Sequence, residues 1–237
     1  VSRATVLLLH ALPLDARMWD AQRAVLEAAG YAVVAPDFPG SEPEIGFPVW
    51  AERALGLVDG PFVPVGCSMG GYLAFELWRR VPERIRALVL VDSRATPDTP
   101  EQRQARDDAI GVLGESGREP FWNDLAPRLF APDASPAVVE WAQQVVLEQP
   151  VTGLVAAQET ISLRSDSRPT LATIDVPALV IVGELDVITP PADAEAMVAG
   201  LADARLVVLP GAGHLTPIER PREVGEAVLG FLREVTP

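Results

Sequence analysis

Ser68 sits at the centre of Gly66-Cys67-Ser68-Met69-Gly70, a spacing that can present a serine hydroxyl as a nucleophile. A hydroxyl attacks a carbonyl carbon only when a base removes its proton during attack, so the next question is which base the chain offers. There are two histidines, His10 and His214. His214 lies in Pro210-Gly211-Ala212-Gly213-His214-Leu215, a glycine-rich loop able to aim the ring, whereas His10-Ala11-Leu12-Pro13 reads as a turn presenting backbone N–H groups. A histidine base also needs a carboxylate to hold its tautomer and to stabilise the imidazolium. Asp186, in Gly183-Glu184-Leu185-Asp186, is placed for that role, and Asp92, at the end of an apolar run, is the alternative. His10 is read as structural, bonding loop backbone. Cys67 is read as a small packed residue rather than a second nucleophile. The chemistry implied is acyl transfer through serine.

Alone, G-x-S-x-G is a weak signal, since a chain of this length shows one by chance in roughly one case in ten. The elements around it carry the weight. Short, near-continuous apolar runs at 5–9, 32–35, 62–65, 87–91, 178–182 and 205–209 predict parallel strands covered by helices on both faces. Helical spacing at 16–29 and 70–81, ended by Gly30 and Pro82, supplies covering helices. Ser68 thus falls between a strand and a helix. A chain turning that abruptly passes through a strained backbone conformation, and glycines two positions either side prevent collision. The hydroxyl is then raised above the sheet at a helix amino end, which favours a developing anion.

Between the fourth and fifth strands, residues 95–173 contain helical patterns broken by Pro100, Pro120, Pro127, Pro136 and Pro150, without a convincing strand. A crossover needs only a dozen or more residues, so the remainder predicts a helical cap resting on the ligand edge of the sheet. The expected division is core at 1–94, cap insertion at 95–173 and core again at 174–237. Phe121, Trp122, Leu125, Leu129, Phe130, Val138, Val139 and Trp141 are expected to form the lobe's core, with some of them lining an apolar cavity.

With these motifs in order, the chain resembles the α/β-hydrolase family over nearly all its length. That family arranges nucleophile, acid and histidine in the sequence order of Ser68, Asp186 and His214. His10-Ala11-Leu12-Pro13 resembles its oxyanion loop, with Ala11 where glycine is usual, and the resemblance implies an oxyanion hole from the backbone N–H groups of Leu12 and Met69. Asp37-Phe38-Pro39-Gly40 resembles the family's Asp-x-Pro-Gly turn, and Pro190 follows the acid loop as in relatives. The resemblance implies a doubly wound, mostly parallel sheet of about six strands, the family's first two strands being absent, with an inserted helical cap. It further implies hydrolysis of small to medium carboxylic esters through an acyl-enzyme on Ser68, with no metal or organic cofactor. Enol-lactone or carbon–carbon bond hydrolysis with the same three residues is the alternative, and an Arg such as Arg94, Arg164 or Arg168 in the pocket would favour it. A non-catalytic small-ligand-binding protein of this fold is the rival from another class.

Composition excludes much else. The 237 residues carry a net charge of −14, and all 19 cations are arginine. Without lysine there is no Schiff-base or P-loop lysine chemistry. The acidic balance argues against nucleic acid and against a polyanionic substrate. One Cys and two His leave no disulfide or structural zinc cluster. The first apolar run stops at His10, too short for a membrane span. The expectation is a cytoplasmic protein acting on a small-molecule ester or lactone, its oligomeric state open.

Overall fold

Alternate residues of each central strand point into two different hydrophobic layers, which is why those strands are apolar throughout. In the computed structural model, which describes residues 4–39 and 45–236, Val6 and Leu8 pack with Trp19, Leu26, Val228 and Phe231. Leu7 and Leu9 face the other way, into a layer holding Trp50, Leu73 and Leu77. All four residues are fully buried, each such side chain contributing about 1.5–3 kcal/mol of transfer free energy. A doubly wound sheet follows, since each face needs its own helices.

The strands are β1 (Thr5–Leu9), β2 (Val33–Val34), β3 (Phe62–Cys67), β4 (Leu88–Val91), β5 (Ala178–Gly183) and β6 (Ala204–Leu209). They form one sheet in the order β2-β1-β3-β4-β5-β6, every neighbouring pair parallel. The chain steps outward from β1 to β2 and returns to place β3 on the other side of β1. The crevice between the carboxyl ends of β1 and β3 is therefore a topological switch point. β2 is shorter than the predicted 32–35. Among the described residues it is an edge strand paired with β1 alone, and Pro36 beyond it brings no N–H to extend the ladder.

The helices are α1 (Asp20–Ala28), α2 (Phe47–Leu55), α3 (Met69–Arg80), α4 (Pro100–Glu115), α5 (Arg118–Leu129), α6 (Pro136–Glu148), α7 (Val151–Ser162), α8 (Arg168–Leu171), α9 (Pro191–Gly200), α10 (Thr216–Glu219) and α11 (Pro221–Val235). α1 and α11 bury their apolar stripes on one face of the sheet; α2, α3 and α9 cover the other. The predicted helix over 16–29 begins as a 3-10 turn, Ala16–Trp19, capped by the Asp15 side chain accepting from Arg17 N, and continues as α1. Gly30 beyond it takes φ 85°, the left-handed conformation that ends helices. Gly40 of the expected turn after β2 lies outside the described residues.

Helices α4 to α8 form the cap inserted between β4 and β5. The prolines read as breaks mostly start helices: Pro100 and Pro136 occupy first helical positions, where their missing N–H costs nothing. Thr99 and Gln102 form a reciprocal capping box on α4. The insertion's far end is stitched to the core, with Trp78 Nε1 donating to Thr173 Oγ1 at 3.0 Å and Arg79 donating to Ser167 and Thr170. Among the described residues, no helix is long and apolar enough to cross a membrane.

Candidate active site

The strand-to-helix turn at Ser68 is as tight as its glycines require. Ser68 takes φ 49° and ψ −107°, a sparsely populated conformation for a non-glycine residue. A Cβ on Gly66 would lie 2.2 Å from Gly70 O, and one on Gly70 would lie 2.1 Å from Leu9 O. Side chains at either position would drive β3, α3 and β1 apart. Ser68 N donates to Val91 O at 2.9 Å, and Ser93 Oγ donates to Ser68 O at 3.0 Å, so β4 holds the turn from the other side.

Ser68, His214 and Asp186, 146 and 28 residues apart in successive steps, meet above the carboxyl edge of the sheet. His214 Nε2 lies 2.9 Å from Ser68 Oγ, and His214 Nδ1 lies 2.8 Å from Asp186 Oδ2. Asp186 is itself held by four donors. Its Oδ1 accepts from Ile188 N and Thr189 N at 2.8 and 2.9 Å; its Oδ2 accepts from Thr189 Oγ1 at 2.6 Å as well as from the ring. Burial alone would raise the Asp186 carboxyl, but the His214 ring and the Thr189 donors outweigh it and hold the group below the usual carboxylate range. The acid is thus a carboxylate, and the proton on His214 belongs on Nδ1.

The alternative acid, Asp92, does not reach His214. It is fully buried and accepts from Gly183 N at 3.1 Å, Thr216 N at 2.9 Å and Thr216 Oγ1 at 2.7 Å. It therefore clamps the acid loop and the histidine loop to the end of β4. Burial, with the Asp186 charge nearby, pushes its carboxyl well up. The histidine loop is secured from the cap as well: His214 N donates to Leu129 O at 2.9 Å, and Glu219 accepts from Gly213 N and Ala131 N. Thr189, Ser93, Thr216 and Glu219 were not anticipated from sequence. Of these, Thr189 had a local signal, because Asp186 followed by a hydroxyl three residues on is a turn in which the carboxylate accepts neighbouring N–H groups.

His10 sits behind the turn at Leu12. Phe38 N donates to its Nε2 at 2.8 Å and its Nδ1 lies 3.1 Å from Ala11 O. A backbone N–H can only donate, so Nε2 is unprotonated, Nδ1 carries the proton, and the ring is neutral. Burial lowers its proton affinity in the same sense. Cys67 is buried with Sγ 3.9 Å from Asp92 Oδ2, and burial followed by the Asp92 charge pushes the thiol well up. A buried thiol so held has little thiolate character. Leu12 lines the same cavity as Ser68 and His214. Met69 is the first residue of α3, where the backbone N–H has no partner within the helix.

That cavity has a volume of about 160 Å³ and lies between the sheet edge and the cap. Phe121, Leu125 and Leu129 line it, whereas Trp122 and Phe130 pack into the lobe's core. Arg94 and Arg164 reach it, joined by Arg106 and Arg128. Arg168 does not: it is exposed and paired with Asp166. Among the described residues, no group of three or more His, Cys, Asp or Glu side chains is placed to hold a metal ion.

The family model described as alpha/beta hydrolase matches residues 6–227. The chain belongs to that family. Its membership makes this alpha/beta hydrolase an enzyme of the hydrolase class built on that fold. Among solved structures, it superposes on a thermophilic esterase from Thermogutta terrifontis, determined with malate bound, with a TM-score of 0.93 and 35% identity, covering 100% of this chain and 92% of that one. The enol-lactonase of Burkholderia xenovorans LB400 gives a TM-score of 0.86 at 27% identity, covering 98% and 92%. In sequence, the hydrolase is 29% identical over 171 residues to 3-oxoadipate enol-lactonase 2 of Acinetobacter baylyi, a match spanning 71% of this chain and 62% of that relative.

Proposed function

We propose that this alpha/beta hydrolase cleaves small to medium carboxylic esters through an acyl-enzyme on Ser68. The observation that carries the proposal is the unbroken line from Asp186 Oδ2 to His214 Nδ1 at 2.8 Å and from His214 Nε2 to Ser68 Oγ at 2.9 Å, opening on a cavity. His214 Nε2 takes the Ser68 proton as Oγ attacks the acyl carbon. The tetrahedral oxyanion accepts hydrogen bonds from the N–H groups of Leu12 and Met69. Each such preorganised donor contributes about 10² to 10³ in turnover. The imidazolium, stabilised by Asp186, protonates the leaving alcohol as the C–O bond breaks. A water deprotonated by the same ring then releases the acid and restores Ser68. The insertion at 95–173 serves as the substrate cap, over a core formed by 1–94 and 174–237.

A lactone is an internal ester, and its ring opening needs the same steps with the alcohol left tethered to the product. The cavity arginines favour that second reading for lactones that carry an acid group. The similarity to an esterase and to enol-lactonases supports both substrate classes. Ser68→Ala tests the common mechanism: hydrolysis of p-nitrophenyl acetate should fall by about 10⁴-fold or more, and full retention of activity would overturn it. A fluorophosphonate should label wild-type Ser68 with one equivalent. An unlabelled, fully folded protein would instead favour a non-catalytic binding role.

A further inference from the structure

Among the described residues, four guanidinium groups line the cavity, Arg94, Arg106, Arg128 and Arg164, against two carboxylates, Asp98 and Asp124. This is a local excess of positive charge in a chain whose net charge is −14. The four differ in how they are occupied. Arg164 is engaged within the protein: Nη1 contacts Asp98 at 2.6 Å and Ile161 O at 3.1 Å, Nε donates to Thr96 O, and the guanidinium lies 4.5 Å over the Tyr72 ring. Arg106 gives Nε to the same Asp98 and Nη1 to Gln158 at 2.8 Å. One carboxylate thus serves two cations. Arg128 is exposed on the cap.

Arg94 is different. Its side chain is only 10% exposed, and no described residue accepts a hydrogen bond from it. Asp193 Oδ2 stands 3.4 Å from Nε without forming one. Burial pushes the Asp193 carboxyl up against the opposing pull of Arg94, and the two stand as an ion pair without a hydrogen bond. The ion pair offsets the charge, but guanidinium N–H groups left without acceptors in a buried site are unfavourable. The backbone beside Arg94 is fixed relative to the nucleophile, because Ser93 Oγ bonds Ser68 O at 3.0 Å. The cost falls on one residue, tethered to the nucleophilic turn and facing the cavity.

We propose that Arg94 is the anchor for a carboxylate on the substrate, which is therefore a half-ester of a dicarboxylic acid or a lactone bearing a free acid group. The proposal rests on the serine-hydrolase reading of the same site. A carboxylate presents two acceptor oxygens to the guanidinium, supplying acceptors to the Arg94 Nη groups at the cavity. The excess charge contributed by Arg106 and Arg128 favours its entry. Arg94 would determine specificity, not perform chemistry.

The test compares mono-p-nitrophenyl adipate with its methyl-capped diester, which differs in the charge at the distal end. Wild-type kcat/KM should favour the free acid about tenfold or more. Arg94→Met should lower that ratio by about 10- to 100-fold, the range for loss of a charge-assisted hydrogen bond, and Arg94→Lys should recover part of it. Equal kcat/KM for the two esters in wild type, or an unchanged ratio in Arg94→Met, overturns the assignment. Should Arg94→Met not fold, wild-type inhibition decides: hexanoate should inhibit at least about tenfold more strongly than hexanamide. Parity between these two, or stronger inhibition by inorganic phosphate, overturns it. Failure of the underlying reading looks different, because neither ester would then release nitrophenol and a fluorophosphonate would leave Ser68 unlabelled.

Discussion

Replacing Asp186 with asparagine should disable the base by reversing its tautomer while leaving the fold in place. Asp186 Oδ1 accepts from two backbone N–H groups, Ile188 N at 2.8 Å and Thr189 N at 2.9 Å. Neither can do anything but donate, so the amide oxygen of an asparagine must occupy that position. Its NH₂ then takes the place of Oδ2, 2.8 Å from His214 Nδ1 and 2.6 Å from Thr189 Oγ1. Facing a donor, Nδ1 must accept, and the ring proton moves to Nε2, pointing at Ser68 Oγ 2.9 Å away. A protonated Nε2 cannot receive the serine proton. The expected loss in kcat is about 10⁴-fold, or about 5.4 kcal/mol in the barrier at about 1.36 kcal/mol per decade. Steady-state hydrolysis of p-nitrophenyl acetate measures the loss, and nitrogen-15 NMR of His214 reports the tautomer. Activity within tenfold of wild type, or an Asp186→Asn ring still protonated at Nδ1, would refute the reasoning.

Two more predictions concern groups beside Ser68 and above it. Asp98 is 2% exposed and its partner Arg164 4%, so Asp98→Asn should cost about 3–5 kcal/mol by removing the counter-charge that two cap arginines share, measurable by urea denaturation at neutral pH. Burial alone would raise the Asp98 carboxyl, but Arg106 and Arg164 hold it below the ordinary range. Its contribution is therefore complete above an unfolded value of about 3.9 and disappears as pH falls through the lower folded one, so the variant should show a flatter acid limb. An unaltered acid limb would contradict the assignment. Cys67, fully buried and with its thiol pushed up by burial, should resist iodoacetamide in the native protein and react on unfolding; labelling of native and unfolded protein at equal rates would show that the thiol is accessible.

Much of the framework was legible because it depends on local patterns. Continuous apolar runs mark strands buried on both faces, and the strands follow from them in number and direction. The glycines at 66 and 70 announced a strand crossing tightly into a helix, and the distances a Cβ would meet there explain why nothing larger fits. Boundaries were less legible where they depend on neighbours. β2 is reduced to two residues by its edge position, β3 runs on to Cys67 because Val91 pairs with it, and α2 passed unmarked between them.

The sequence by itself determined which groups could do chemistry and in what order they occur: a serine on a glycine-flanked turn, two histidines, and acids closing apolar runs. It left open which carboxylate reaches His214 and which arginines share a cavity with Ser68, since both are matters of distance between residues far apart in the chain. Packing of β4 against β5 turned Asp92 toward Thr216 and Gly183 and left Asp186 to the ring. Packing of the cap brought Arg106 and Arg128 to the cavity while leaving Arg168 outside. Local sequence sets backbone conformation, but the direction of a side chain across a cavity is decided by the elements packed around it, and only the tertiary structure holds that information.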